Sequence, residues 1–313
     1  MSKLIDRIVE SGMLGNVSFD DMSDLPIIDV TNVTAYMYEL SGQDEWAASD
    51  FPNVAPPFDE FWMESKAPKT ILDNGVIKPW YEIGAGVTSW GFLITALHAT
   101  HPEYADKFEQ FRAQTPDEIR DQVQWLLLIT IYIESVKGKP VLSPLAFMVP
   151  VGDQGELFTG EDGGIHFGTV PSRTLIETNR YILEEVSASG GELLKSLFMA
   201  LTFMNCQNVQ MADSDYPSKL QKARIRKSKY PLFTFRTLII EPIKKMLATK
   251  GNVGVSGIKM ALHICRGHFK RFNDKPLFGK HKGMFWWPQQ YRGREVNGVS
   301  EHDYKVRPIK TAA

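Results

Sequence analysis

Arg266, His268 and Lys270 stand at alternate positions in the segment HICRGHFKRFNDKPLFGKHKGMFWWPQQYRG, His263 to Gly293. In an extended strand this spacing places the three on one face with Leu262, Ile264 and Phe272, and turns His263, Cys265, Phe269 and Arg271 to the other. An arginine grips a phosphate through two parallel hydrogen bonds and a lysine adds a second positive charge. A histidine, with its pKa near neutrality, gives or takes a proton at a bridging oxygen. Arg266, His268 and Lys270 are therefore candidate catalytic residues for RNA cleavage without a metal, with His263 or His281 as a second acid or base.

The same segment also has the composition of a binding surface that does no chemistry. Between Ala261 and Arg294 there are 8 basic residues against Asp274 alone, a local charge of +7. Arg266, Lys270, Arg271, Lys280, Lys282 and Arg292 are the candidate phosphate contacts, and Trp286 and Trp287 the candidate platforms on which unpaired bases stack. A competing reading turns Phe285 and Trp286 into a core and leaves the lysines to solvate a strand edge at Pro288. Whether the protein is an enzyme is open at this level.

Other chemistries fit less well, and no metal or cofactor is expected. His263 and Cys265 share a strand face from which His268 points away, no paired-cysteine knuckle is present, and seven cations between Arg266 and Arg292 oppose a bound metal. Glu64-Ser65-Lys66 matches the Glu-x-Lys half of metal-dependent nuclease sites, without a clear Pro-Asp partner. GAGVTSWG, from Gly84, misses the dinucleotide fingerprint, and no Walker lysine motif exists. Glu161-Asp162 reads as a turn, and His98 and His101 as histidines at a helix end.

The net charge of −2 over 313 residues hides a division. From Pro217 onward 22 Lys+Arg face 5 Asp+Glu, +17, whereas residues 1 to 216 carry 13 against 32, −19. Asymmetry on this scale points to a polyanion for the basic part, or to acidic and basic parts that complement each other within one fold or across a homo-oligomer. The composition, 43% hydrophobic and 23% charged, is that of a globular protein. Two cysteines suit a reducing compartment, MSKLIDRIVESG lacks the apolar run of a secretory signal, and Trp125–Ile133 falls short of the roughly 20 residues that cross a bilayer. The expectation is a cytoplasmic protein with no membrane partner.

These residues need elements to position them. Residues 1–12 have an amphipathic helical pattern, and residues 1–54 read as an N-terminal helix and an irregular acidic arm before a domain over 55–313, with a sub-boundary near 211–230. FDEFWMES and GVIKPWYEIGAG read as strands; a helix is expected from Trp90 to Arg112, interrupted at His101-Pro102. Thr115-Pro116-Asp117-Glu118 starts another helix that runs into LLLITIYIES, which ends as a strand paired with VLSPLAFMVPV. After a glycine-rich loop over 152–168, two helices, 171–186 and 192–204, flank SASGG. QKARIRKSK reads as a solvated charge run, FTFRTLIIEPI as a strand, and 259–272 with 283–289 as a hairpin. The pattern predicts an α+β fold: a mainly antiparallel sheet packed with helices, and a basic C-terminal β-hairpin.

The C-terminal segment resembles a signature of uncharacterised bacteriophage and prophage proteins. Its elements here are Arg266-Gly267-His268-Phe269-Lys270, Leu277-Phe278-Gly279-Lys280, Gly283, Trp286-Trp287 and Arg292-Gly293, with Met204-Asn205-Cys206-Gln207-Asn208-Val209 as a weaker second match. The signature often has a histidine before the closing Arg-Gly; Gln289-Gln290-Tyr291 stands there, so no histidine acts at that point. The resemblance covers about a third of the chain and implies a setting, a viral or mobile-element protein inside a bacterial cell, but no activity. The expected function is nucleic-acid binding, RNA slightly ahead of DNA. The alternatives are a metal-independent ribonuclease and a protein that blocks a host factor or bacterial immunity by direct binding.

Overall fold

The structure is a computed structural model that describes residues 3–12, 22–40, 46–73, 76–79, 86–135, 140–160, 163–171, 180–214, 216–240, 261–265, 267–277, 279–287, 290–292 and 294–299. Two compact units divide the chain, one of residues 1–205 and 209–239, the other of 206–208 and 240–313.

The first unit is built on an eight-stranded sheet. Its strands are β1 (Ile27–Asp29), β2 (Glu60–Lys66), β5 (Val87–His98), β6 (Val123–Ser135), β7 (Pro140–Gly152), β8 (Gly168–Pro171), β9 (Val209–Ser214) and β10 (Phe235–Ile240), in the order β8-β7-β6-β5-β2-β1-β10-β9. A separate pair, β3 (Thr70–Asp73) and β4 (Val76–Pro79), forms a small antiparallel ribbon. From β8 to β2 the pairing is antiparallel, and β1 runs parallel to both of its neighbours, β2 and β10. The helices are α1 (Leu4–Ser11), α2 (Thr31–Ala35), α3 (Ala105–Arg112), α4 (Asp117–Arg120), α5 (Arg180–Met204) and α6 (Ser218–Arg226). The α+β class with a mainly antiparallel sheet is as the sequence predicts.

Alternation along the strands sorts the layers. Trp62, Leu93 and Tyr132 share the face that receives Leu4, Ile5 and Ile8 of α1, and Phe108 of α3 packs with Leu97, Leu126 and Met148 on that same face. The opposite face carries α5: Trp90 Nε1 donates to Ser196 Oγ at 3.1 Å, and a Cβ on Gly190 would lie 2.3 Å from Cζ of Phe147. With both faces covered, β5 and β6 are apolar on both sides, as sandwiched strands are.

Four local expectations are corrected. Residues 87–98 are a strand, because a run apolar at nearly every position from Trp90 to Leu97 fits a doubly covered strand better than a one-sided helix. The helix begun at Thr115 is a single turn, α4; Thr115 Oγ1 donates to the carbonyl of Arg112 at 2.7 Å and caps nothing, and 123–135 is strand throughout. SASGG does not separate two helices: α5 is continuous from residue 180 to 204, and Gly190 and Gly191 bring the helix onto Phe147 and Phe167. The cost of glycine in a helix, about 1 kcal/mol, is offset by that approach. The acidic stretch before residue 54 is not wholly irregular, since β1 lies inside the sheet with Ile27, Ile28, Val30 and Val33 buried.

The second unit holds β11 (Ala261–Cys265), β12 (His268–Leu277), β13 (His281–Trp287), β14 (Gln290–Arg292) and β15 (Arg294–Val299). β12 and β13 form the antiparallel hairpin, and β11 pairs with β14 and β15. Among the described residues no helix is long and apolar enough to cross a membrane.

Candidate nucleic-acid interface

The β12–β13 hairpin is built from its turn outward. The amide of Gly279 donates to the carbonyl of Pro276 at 2.9 Å, and that of Lys280 to Leu277 at 3.1 Å. Gly279 (φ 69°) and Gly283 (φ 106°) take up left-handed backbone that a side chain would strain. A two-stranded ribbon is marginal alone in water. Here residues 206–208 brace the outer edge of β13: the amide of Gln207 donates to Met284 at 2.8 Å, Asn208 Nδ2 to Trp286 O at 3.0 Å, and the amide of Trp286 to Asn208 Oδ1 at 2.9 Å.

The register places His268 opposite Trp287, Lys270 opposite Phe285 and Phe272 opposite Gly283. Trp287, half-buried, is the centre of this face. Its ring lies 5.6 Å from that of Phe272 and 6.5 Å from the imidazole of His268, nearly parallel to the latter at 17°. Lys270 Nζ sits 5.2 Å from the centre of Phe272 and 5.7 Å from that of Trp287, within the range where a ring attracts an ammonium. His268, Lys270, Arg271, Lys275, Lys280 and Lys282 are exposed. None of Lys270, Lys275, Lys280 and Lys282 has a carboxylate partner among the described residues.

The two tryptophans part company. Trp286 is 4% exposed and packs on Phe269 at 4.6 Å, so it is core and offers no stacking platform; Phe285, at 2%, is core as well. Parity along β13 sets the two tryptophans on opposite faces but does not by itself decide burial, since Phe285 shares the face of Trp287 and is buried all the same. Arg266 lies outside the described residues, as do the side chains of His263 and Arg292. His268 and His281 do not meet: they pair with Trp287 and Leu277, six positions apart along β13 or about 20 Å, far beyond hydrogen-bond reach. The pairing of His268 with His281 as acid and base is thus corrected.

The Glu-x-Lys motif has a neighbour that the sequence did not reveal. Asp29 on β1 is the direct register partner of Glu64 on β2. Both carboxylates are already engaged. Glu64 caps α1, accepting from the amides of Leu4 (3.2 Å) and Ile5 (3.1 Å), and also from Trp62 Nε1 (3.0 Å). Asp29 accepts from the amide (3.0 Å) and hydroxyl (2.6 Å) of Thr31 and pairs with Lys3. Burial raises the Glu64 carboxyl above its ordinary range despite these donors. For Asp29, burial is outweighed by hydrogen bonds from Lys3 and Thr31 and by the Lys3 charge, and its carboxyl lies below the ordinary range. No group of three or more metal-ligating side chains is poised for an ion among the described residues. Cys206 is buried and its thiol is pushed up to about 12, which removes it as a nucleophile.

Two features escaped the sequence reading. Asn208 acts as a surrogate strand, a role visible only once it lies beside Trp286, and the charge run over 221–229 belongs to an ordered helix, α6. No family model matches the sequence, and no curated protein matches it.

Proposed function

We propose that the protein binds nucleic acid through the exposed face of the β12–β13 hairpin, with a preference for single strands and for RNA over DNA. The observation that carries this reading is the partly buried Trp287 set among Lys270, His268 and Phe272, with Lys275, Lys280 and Lys282 along the same ribbon. A ring of this kind stacks an unpaired base, and cations around it take the phosphates on either side. The phage signature supplies the setting, a protein made by a phage or prophage that acts in the bacterial cytoplasm. A metal-independent ribonuclease has less support, since His268 lacks His281 as its partner.

The test is binding of a labelled 20-nucleotide RNA, its DNA counterpart and a duplex, by fluorescence anisotropy in EDTA. Replacing Lys270, Lys275, Lys280 and Lys282 with glutamine is expected to remove about four phosphate contacts. With about 0.7 per contact on a single strand, the slope of log K against log salt should become shallower by about three. The RNA should remain intact throughout. A parent protein that ignores all three probes at low salt, and instead retains one dominant host protein, would overturn the proposal.

A further inference from the structure

We infer that α6 is a second phosphate-binding surface, carried by the unit of residues 1–205 and 209–239, and that its occupant is the backbone of a nucleic acid. Six cations lie between Lys219 and Lys229, and no acidic residue lies between Pro217 and Ile240. The helix is held from one side. Gln221 exchanges two hydrogen bonds with the backbone of Leu232, both 2.8 Å, and Arg224 donates to the carbonyl of Tyr230 at 3.0 Å while pairing with Glu10. At 100° per residue the side opposite Gln221 and Arg224 is formed by Lys219, Lys222, Ala223 and Arg226, the i, i+3, i+4, i+7 stripe, and all four are exposed. Three cations thus line about 10 Å of helix.

Charge complementarity within the fold does not account for this stripe. Arg224 meets Glu10 and Arg236 meets Asp213, so those two cations of the basic part are neutralised by the acidic one. Lys219, Lys222, Arg226, Lys227 and Lys229 have no carboxylate partner among the described residues. Like charges at i,i+3 and i,i+4 oppose helix formation. The helix nonetheless closes with a Schellman motif, the amide of Lys229 donating to Arg224 O at 3.1 Å and that of Ser228 to Ile225 O at 3.0 Å, with Ser228 at φ 53° in the left-handed region. A helix that turns Lys219, Lys222 and Arg226 to solvent, without a carboxylate partner among the described residues, suits a dense line of negative charge. A lipid surface suits it less: exposed Leu220 and Ile225 fall on opposite flanks of the helix, about 140° apart, and build no single apolar face.

The experiment replaces Lys219, Lys222 and Arg226 with glutamine in the full chain and titrates single-stranded RNA and duplex DNA across salt. The expected result is an affinity loss of about 10-fold or more and a salt slope shallower by about two to three on at least one probe, with helix content and thermal midpoint unchanged. The charge-preserving variant K219R/K222R should bind like the parent. Should the triple variant lose helix content, single K222Q and R226Q are read in its place, each expected to reduce the slope by about one. Parent-like affinity and slope in the α6 variants overturn the inference whatever the hairpin variant does. Loss in the α6 variant with a parent-like hairpin variant upholds it while defeating the hairpin proposal. Transfer of the α6 dependence to anionic vesicles, with nucleic-acid binding untouched, also overturns it.

Discussion

The site around Glu64 and the face around Trp287 draw on the same chemical vocabulary and use it in opposite ways. At the first, Lys3, Asp6, Asp29 and Glu64 are crowded and buried or partly so, and every carboxylate is engaged, that of Asp6 by the amides of Lys3 (2.8 Å) and Phe233 (3.0 Å). At the second, four lysines of the ribbon stand in solvent, Lys270 over the rings of Phe272 and Trp287, with no carboxylate partner among the described residues. Saturation, more than the density of titratable groups, separates a scaffold from a surface with work left to do. Glu64-Ser65-Lys66, the motif closest to a nuclease, lies in the saturated region and holds α1 on the sheet.

The contrast can be broken in three places. Glu64→Ala should have the largest effect, because it leaves two buried amides and the Trp62 indole N–H without their acceptor. About 3–5 kcal/mol of stability should be lost in urea denaturation, with nucleic-acid affinity of the remaining folded protein unchanged. A loss of affinity at constant stability would place Glu64 in a site after all. Next comes Trp287→Ala, expected to weaken single-strand binding by about 5- to 100-fold and duplex binding much less, while leaving the thermal midpoint close to the parent's. Trp286→Ala should do the reverse, since its ring is buried.

The smallest effect is one of pH. The lowered Asp29 carboxyl contributes stability above its ordinary value of 3.8, and that contribution fades as pH falls through its folded value. Asp29→Asn should therefore cost about 2 kcal/mol at pH 7, and the gap from the parent should close below pH 4. Glu64 and Asp6 have the opposite sign. Burial raises both, the folded state holds their protons more tightly, and their effect favours folding as pH drops toward 4. A gap that widens on acidification would contradict the ion pair of Lys3 with Asp29.

Sequence periodicity made the antiparallel sheet, the hairpin and α1 legible, because each has alternation or a clear apolar stripe. It misled where burial is two-sided. β5 reads like a helix because neither of its faces is polar, and the register with β2 and β6 is a long-range fact. β1 is three residues in an acidic stretch, too short for any period to show. Gly190 looked like a helix breaker until Phe147 was placed against it. For the candidate site, alternation selected His268 and Lys270 as neighbours on one face, but could not say which tryptophan is buried, since both faces of the hairpin carry cations. α6 was missed as a surface because its anchor, Gln221 on Leu232, joins residues eleven apart through backbone groups that no motif records.

Asn208 carries a consequence for solubility. A ribbon as basic and aromatic as β12–β13, with one bare strand margin, would invite further strands to zip onto it, the ordinary route to misassembly in sheet proteins. The carboxamide of Asn208 and the amide of Gln207 occupy the polar groups of Met284 and Trp286 on the β13 margin, so that this stretch of edge offers no template for growth. Losing that carboxamide, as in Asn208→Ala, should show first as turbidity during expression or warming, before any change in ligand binding can be measured.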